Sequence, residues 1–128
     1  MHSVHRLVRG LAVMVVVGTP RIAAAQASVP TPASRQMTIT GTVIDMACKF
    51  SKGSSGPSHL ACFEGCAKAG VAIGILTGDG NLYIPVQHEV GQNPRLQPFA
   101  EQVVTVTGQV FAAGGAHTIE IATIQKKS

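Results

Sequence analysis

Four residues in one stretch of the chain carry soft or borderline donor atoms: Cys48, His59, Cys62 and Cys66. Placed on a helix, His59, Cys62 and Cys66 fall at i, i+3 and i+7, which puts all three on one narrow stripe. Cys48 lies just past a strand, on the loop that leads to this helix, where it can reach the same point. Three thiolates and an imidazole suit tetrahedral Zn²⁺, and thiolates also favour Cu(I). The spacing, C-x13-C-x3-C with histidine three residues before the second cysteine, differs from the paired units of standard zinc fingers. Cys66 is followed by Ala67 and not histidine, which excludes c-type haem attachment.

With three cysteines in the chain, at least one thiol stands outside any intramolecular disulfide. The competing arrangement is a disulfide from Cys48 to Cys62 or Cys66, stapling the helix to the rest of the domain and leaving a spare thiol. A Cys62–Cys66 bridge is disfavoured, because successive helical turns hold β-carbons about 5–6 Å apart, wider than a disulfide allows. A redox-active thiol pair is a third reading, although C-x3-C is not the C-x-x-C of thioredoxin-like sites. Asp45 serves either as a hydrogen-bond partner of His59 or as a turn residue, and Met46 either as a soft copper ligand or as core. His88 and His117 read as isolated polar positions. Lys49, Lys52 and Lys68 either stabilise thiolates or are ordinary solvated charges.

The elements that must position these residues follow from patterning. Residues 37–46 (MTITGTVIDM) alternate as a strand interrupted by Gly41, and an interior glycine marks a bulge or bend. Residues 49–57 are rich in Gly and Ser and read as loop. Ser58 is the expected N-cap of a helix over 59–69 that Gly70 closes, with Leu60, Phe63 and Ala67 as the apolar stripe that seats it. Residues 71–77 and 81–86 form a hairpin across Gly78-Asp79-Gly80. Asn93-Pro94 starts a second short helix with Leu96 and Phe99 on one face. Residues 103–112 and 117–124 are strands joined across Gly114-Gly115. Ile39–Val43 and Val106–Val110 share a glycine-interrupted strand pattern, which lets a small barrel curl.

This order predicts a mainly β domain with two short helices, an OB-fold-like five-stranded, partly open barrel. The Cys/His-bearing helix lies between strands one and two, a connection where OB-folds commonly bind ligands. The alternative is an α+β fold with an open antiparallel sheet.

The N-terminus has a basic start with Arg6 and Arg9, an apolar run from Leu11 to Val17, and small residues ending Ala23-Ala24-Ala25-Gln26-Ala27. These are the three parts of a secretory signal. The expected organisation is a signal peptide over 1–27, a Pro-containing linker over 28–35 and the domain over 36–126. A spanning helix needs roughly 20 apolar residues, and Gly18-Thr19-Pro20-Arg21 interrupts the run too early, so no stable membrane anchor is expected after cleavage. The formal charge of the full chain is +4. Beyond residue 27 only Arg35, Lys49, Lys52, Lys68, Arg95, Lys126 and Lys127 oppose the acidic residues, a net +1. No basic stripe remains for a phosphate backbone, which argues against nucleic acid.

The runs GTVIDMAC (Gly41–Cys48), HLACFEGCAKAG (His59–Gly70) and GILTGDGNLY (Gly74–Tyr83) resemble a group of small secreted bacterial OB-like proteins of unassigned function. The resemblance spans Gly41 through Val110. It implies an exported OB-like domain in which Cys48, His59, Cys62 and Cys66 act as one unit.

The leading expectation is therefore a periplasmic or secreted metal-binding protein, holding Zn²⁺ or Cu(I) for metal handling or as a metal-stapled domain serving another exported protein. The alternative is an interaction module for a protein, peptide or glycan, with one structural disulfide. No carboxylate pair, nucleophile elbow or phosphate loop points to an enzyme.

Overall fold

Strict alternation of apolar and polar residues dictates the two long C-terminal strands. In β4 (Val103–Ala113) Val104, Val106, Gly108 and Val110 turn inward, and in β5 (Ala116–Lys126) Ile119 and Ile121 do so. Both strands thus have one dry face and one wet face. The computed structural model describes residues 33–86 and 93–128. The expected signal segment, residues 28–32 of the expected linker, and His88 lie outside the described residues.

The remaining elements are β1 (Ala33–Asp45), α1 (Met46–Lys52), a 3-10 turn (Pro57–His59), α2 (Leu60–Lys68), β2 (Ile73–Thr77), β3 (Leu82–Pro85), α3 (Asn93–Leu96) and a second 3-10 turn (Gln97–Phe99). The strands close into a barrel in the order β1-β2-β3-β5-β4. The β3–β5 pair is parallel and the other four are antiparallel. This is the OB-like barrel expected from the element order, and its closure sets aside the open sheet. The barrel is closed rather than partly open, because β1 pairs along ten residues with β4 and then with β2.

Glycine makes that double pairing of β1 possible. Gly41 and Thr42 pair with both neighbours, and a β-carbon on Gly41 would stand 2.7 Å from the Leu76 carbonyl oxygen. The echoing glycine in β4, Gly108, marks a register shift against β5, where a β-carbon would meet the Glu120 carbonyl oxygen at 2.2 Å. At both positions a side chain would collide with the neighbouring backbone.

Phe63 and Ala67 from α2 and Leu96 from α3 join the strand residues in one core. Phe63 is fully buried, worth roughly 2–3 kcal/mol of hydrophobic stabilisation, and anchors α2 to the barrel. Leu60, expected on the same stripe, is instead 38% exposed, because it opens α2 directly after the 3-10 turn. At the other end of β1, a cavity of about 270 Å³ is lined by Arg35, Met37, Tyr83, Val110 and His117 among others.

Three expectations need correction. Residues 46–52 are a helix and not part of a loop: Asp45 caps it at the start, and Gly53 closes it in the left-handed region at φ 68°. That adds a third short helix to the two expected. Ser58 caps nothing through its side chain; the 3-10 turn begins after Gly56 at φ 83° with Pro57 in its first position. Finally, β1 begins at Ala33, so the last three residues of the expected linker are strand paired with β4.

Candidate metal centre

The end of β1 delivers the first donors. Asp45 is its last residue, and its Oδ1 accepts a hydrogen bond from the Cys48 backbone N–H at 3.0 Å. That bond starts α1 and swings Cys48 back over the barrel rather than away from it. The Met46 N–H donates to the Ala72 carbonyl at 3.1 Å, tying the start of α1 to the entry of β2. The Met46 side chain lies over Gly74, which is a packing role and not that of a copper ligand.

From the other side, the 3-10 turn and α2 bring His59, Cys62 and Cys66. The sulfurs of Cys48, Cys62 and Cys66 all lie within 4.8 Å of one another. Asp45, Cys48 and His59 form a second group within the same limit. The four residues singled out by spacing are thus arranged as two overlapping triads, with Cys48 shared and Asp45 added. Cys48 and His59 are buried, Cys66 is half-buried and Cys62 is exposed.

The Cys48 and Cys62 sulfurs are 3.8 Å apart. Two thiolates on a tetrahedral ion with metal–sulfur bonds of about 2.3 Å sit about 3.8 Å apart, so this pair already has the span of a metal-bound edge. A cluster of three close cysteines, with Asp and His beside it, can hold a metal ion.

Glu101 completes the surroundings. Its side chain is only 4% exposed. Oε1 accepts from His59 Nδ1 at 2.8 Å and Oε2 accepts from the Gly56 N–H at 2.8 Å. Glu101 gets there because the turn before β4 is pinned to β1: its N–H donates to the Val43 carbonyl, and the Val43 N–H donates to that of Gln102, both at 3.0 Å. It is the one non-glycine residue with positive φ among the described residues, at 57°. A bulky residue held in the left-handed region is strained, and here the two hydrogen bonds of its carboxylate hold it there.

With Nδ1 committed to Glu101, only Nε2 of His59 is left to act as a donor. That atom is buried without a hydrogen-bond partner, as is Asp45 Oδ2. A carboxylate fixing one imidazole nitrogen so that the other faces a metal is a recurring support for histidine ligands. Asp45, expected as the partner of His59, leaves that role to Glu101.

The charges in the cluster are uneven. The Glu101 carboxylate beside His59 raises the imidazole pKa, against burial, with the Cys62 sulfur helping. The contact with the Cys48 thiol and the nearby His59 imidazole lower Cys62. Burial, together with Cys62 and Asp45, raises Cys48. The Asp45 carboxylate and burial push Cys66 up to about 12. Burial would raise Asp45, but the hydrogen bond from the Cys48 N–H and the proximity of the Cys66 and Cys48 thiols hold it below 3.8. Of the three thiols, Cys62 is therefore the one most readily ionised, beside the Asp45 carboxylate.

Glu101 is the residue that sequence reasoning missed. It lies 35 positions beyond Cys66 in an ordinary-looking segment, and neither its backbone conformation nor its partners leave a pattern in composition. His117, in contrast, is far from the cluster at the start of β5, stacked on Tyr83 with ring centroids 5.4 Å apart. Compared with models of known families, with curated proteins and with solved structures, the chain matches none.

Proposed function

We propose that the protein is an exported metal-binding OB-like domain in which Cys48, His59, Cys62 and Cys66 hold Zn²⁺ or Cu(I) against the end of β1. The observation that carries this reading is the convergence of three sulfurs within 4.8 Å, with the buried, unpartnered Nε2 of His59 beside them. Unpartnered buried polar atoms are rare in folded proteins and call for an explanation. A cation supplies one for His59 Nε2.

The donors come from two short helices and a turn, each fixed separately to the barrel. A bound ion would cross-link α1 to α2, and its binding free energy would add to folding free energy. The role is metal handling, or a metal-stapled module serving another exported protein. The three-part N-terminal segment supports export, to the periplasm or beyond.

The test is to purify the protein from the exported fraction under anaerobic conditions and measure metal content and free thiols before and after chelation. Near-stoichiometric Zn or Cu, with thiols that become titratable on chelation, is the expected result. Metal-free protein with one titratable thiol would overturn this reading in favour of a disulfide, for which the 3.8 Å Cys48–Cys62 contact is the natural site.

A further inference from the structure

Asp45 is held at the cluster by a role that uses half of its carboxylate. Oδ1 caps α1 through the Cys48 N–H. Oδ2 has no hydrogen-bond partner, although the residue is only 2% exposed. Among the described residues, His59 Nε2 is the other buried side-chain polar atom in this state. Their residues form one triad with Cys48, each offering a donor atom within 4.8 Å of the others. A buried polar atom left unsatisfied is costly, and more so when it is charged. Two such atoms in residues gathered around one cysteine mark a place where a positive ion belongs.

We propose that Asp45 Oδ2 is itself a metal donor, alongside Cys48 and His59 Nε2, and that this oxygen makes the centre select Zn²⁺ over Cu(I). The inference rests on the metal-centre reading above and adds a donor to it. Zn²⁺ binds sulfur at about 2.3 Å and carboxylate oxygen at about 2.0–2.2 Å, and accepts four or five donors. An oxygen and a sulfur on opposite sides of one zinc are therefore at most about 4.5 Å apart, so donors already within 4.8 Å need only a small contraction. Cu(I) is soft and prefers thiolates, gaining little from a carboxylate. A centre of sulfurs alone would suit either ion; the buried oxygen breaks the tie.

The geometry also explains why the cap is aspartate. Asparagine and serine cap a helix about as well, yet neither carries a second, negatively charged oxygen.

The discriminating substitution is Asp45→Asn. It keeps a capping oxygen for the Cys48 N–H and removes the charge. Affinities of the wild-type and variant proteins for Zn²⁺ and for Cu(I) are measured by competition with a chromophoric chelator of each metal. Zn²⁺ affinity is expected to fall by roughly 10- to 100-fold or more, the scale seen for groups that support metal sites, while Cu(I) affinity changes less than about threefold, since a carboxylate is a poor Cu(I) donor. An unchanged Zn²⁺ affinity, or an equal fall for both ions, overturns the proposal; an equal fall means that Asp45 acts only through α1. Zinc-edge X-ray absorption of the wild-type protein gives a check that needs no variant: two O/N scatterers near 2.0 Å beside sulfur near 2.3 Å are expected, and a single one overturns the assignment. Failure of the wild-type protein to bind either ion would sink the metal-centre reading and this inference together. Tight Zn²⁺ binding that survives Asp45→Asn would sink the inference alone.

Discussion

Asp45 and Asp79 both stand where a strand gives way to a turn, and both accept hydrogen bonds from residues two or three positions on. At the tip between β2 and β3, Asp79 engages both carboxylate oxygens: Oδ1 takes the Thr77 hydroxyl and Oδ2 takes the Asn81 side-chain amide at 2.8 Å. The Asn81 N–H closes the turn on Thr77 Oγ1 at 3.1 Å. That site is exposed, finished locally, and needs nothing from outside the chain. Asp45 is buried and its second oxygen has no partner. Hydrogen bonds hold both carboxyls below 3.8, from the Thr77 hydroxyl at Asp79 and against burial at Asp45. Water can complete any donor or acceptor left over at a turn on the surface. At the end of β1 water is excluded, so an uncompleted oxygen persists only where something else answers it.

The largest expected effect comes from deepening the imbalance at the buried end. Glu101→Ala removes the acceptors of both His59 Nδ1 and the Gly56 N–H. Chemical denaturation should show a loss of about 2–4 kcal/mol, and metal affinity should fall roughly 10- to 100-fold because the imidazole is no longer oriented. An unchanged denaturation midpoint would remove Glu101 from the centre.

A smaller effect is the pH dependence of the chelated, metal-free protein. His59 has its pKa raised above 6.5 by Glu101. Its ion pair therefore contributes stability in full below 6.5 and loses it as pH rises through the raised value. Urea midpoints measured from about pH 6 to 8 should decline, and His59→Gln should flatten that decline; equal slopes in the two proteins would contradict it. Metal affinity should run the other way, rising with pH, because protons compete for the imidazole and the thiols.

The smallest effect belongs to the finished turn. Asp79→Ala should lower Tm by roughly 2 °C and leave metal affinity unchanged. The contribution of Asp79 should be present above 3.8 and disappear as pH falls through its depressed value. A change in metal affinity would mean that the two ends of the molecule are coupled and the contrast between the aspartates is wrong.

Much of this molecule was legible in the chain. The alternation in β4 and β5, the Gly-Asp-Gly turn, and the glycine at 108 prescribe strands, a hairpin and a register shift, because each depends on neighbours a few residues away. The closeness of Cys62 and Cys66 followed from helical spacing for the same reason, and Cys48 was expected beside them from its position just past the first strand. Helix α1 was not legible. Its seven residues carry no apolar periodicity, and the cap and closing glycine that define it, Asp45 and Gly53, sit in a stretch that reads as loop.

By itself, then, the sequence determined the barrel class and which thiols would stand near one another. The strands and the closeness of Cys62 and Cys66 are consequences of local periodicity, where side-chain direction follows directly from backbone repeat. Cys48 followed from lying just past the first strand. Only the tertiary structure decided how the donors divide into two triads sharing Cys48, that Glu101 rather than Asp45 holds His59, and that one oxygen of Asp45 is left over. Those facts depend on a turn 42 residues beyond His59 being pinned to β1, and on burial that excludes water from the end of one strand. Neither pinning nor burial of that kind is encoded in the spacing of any short motif.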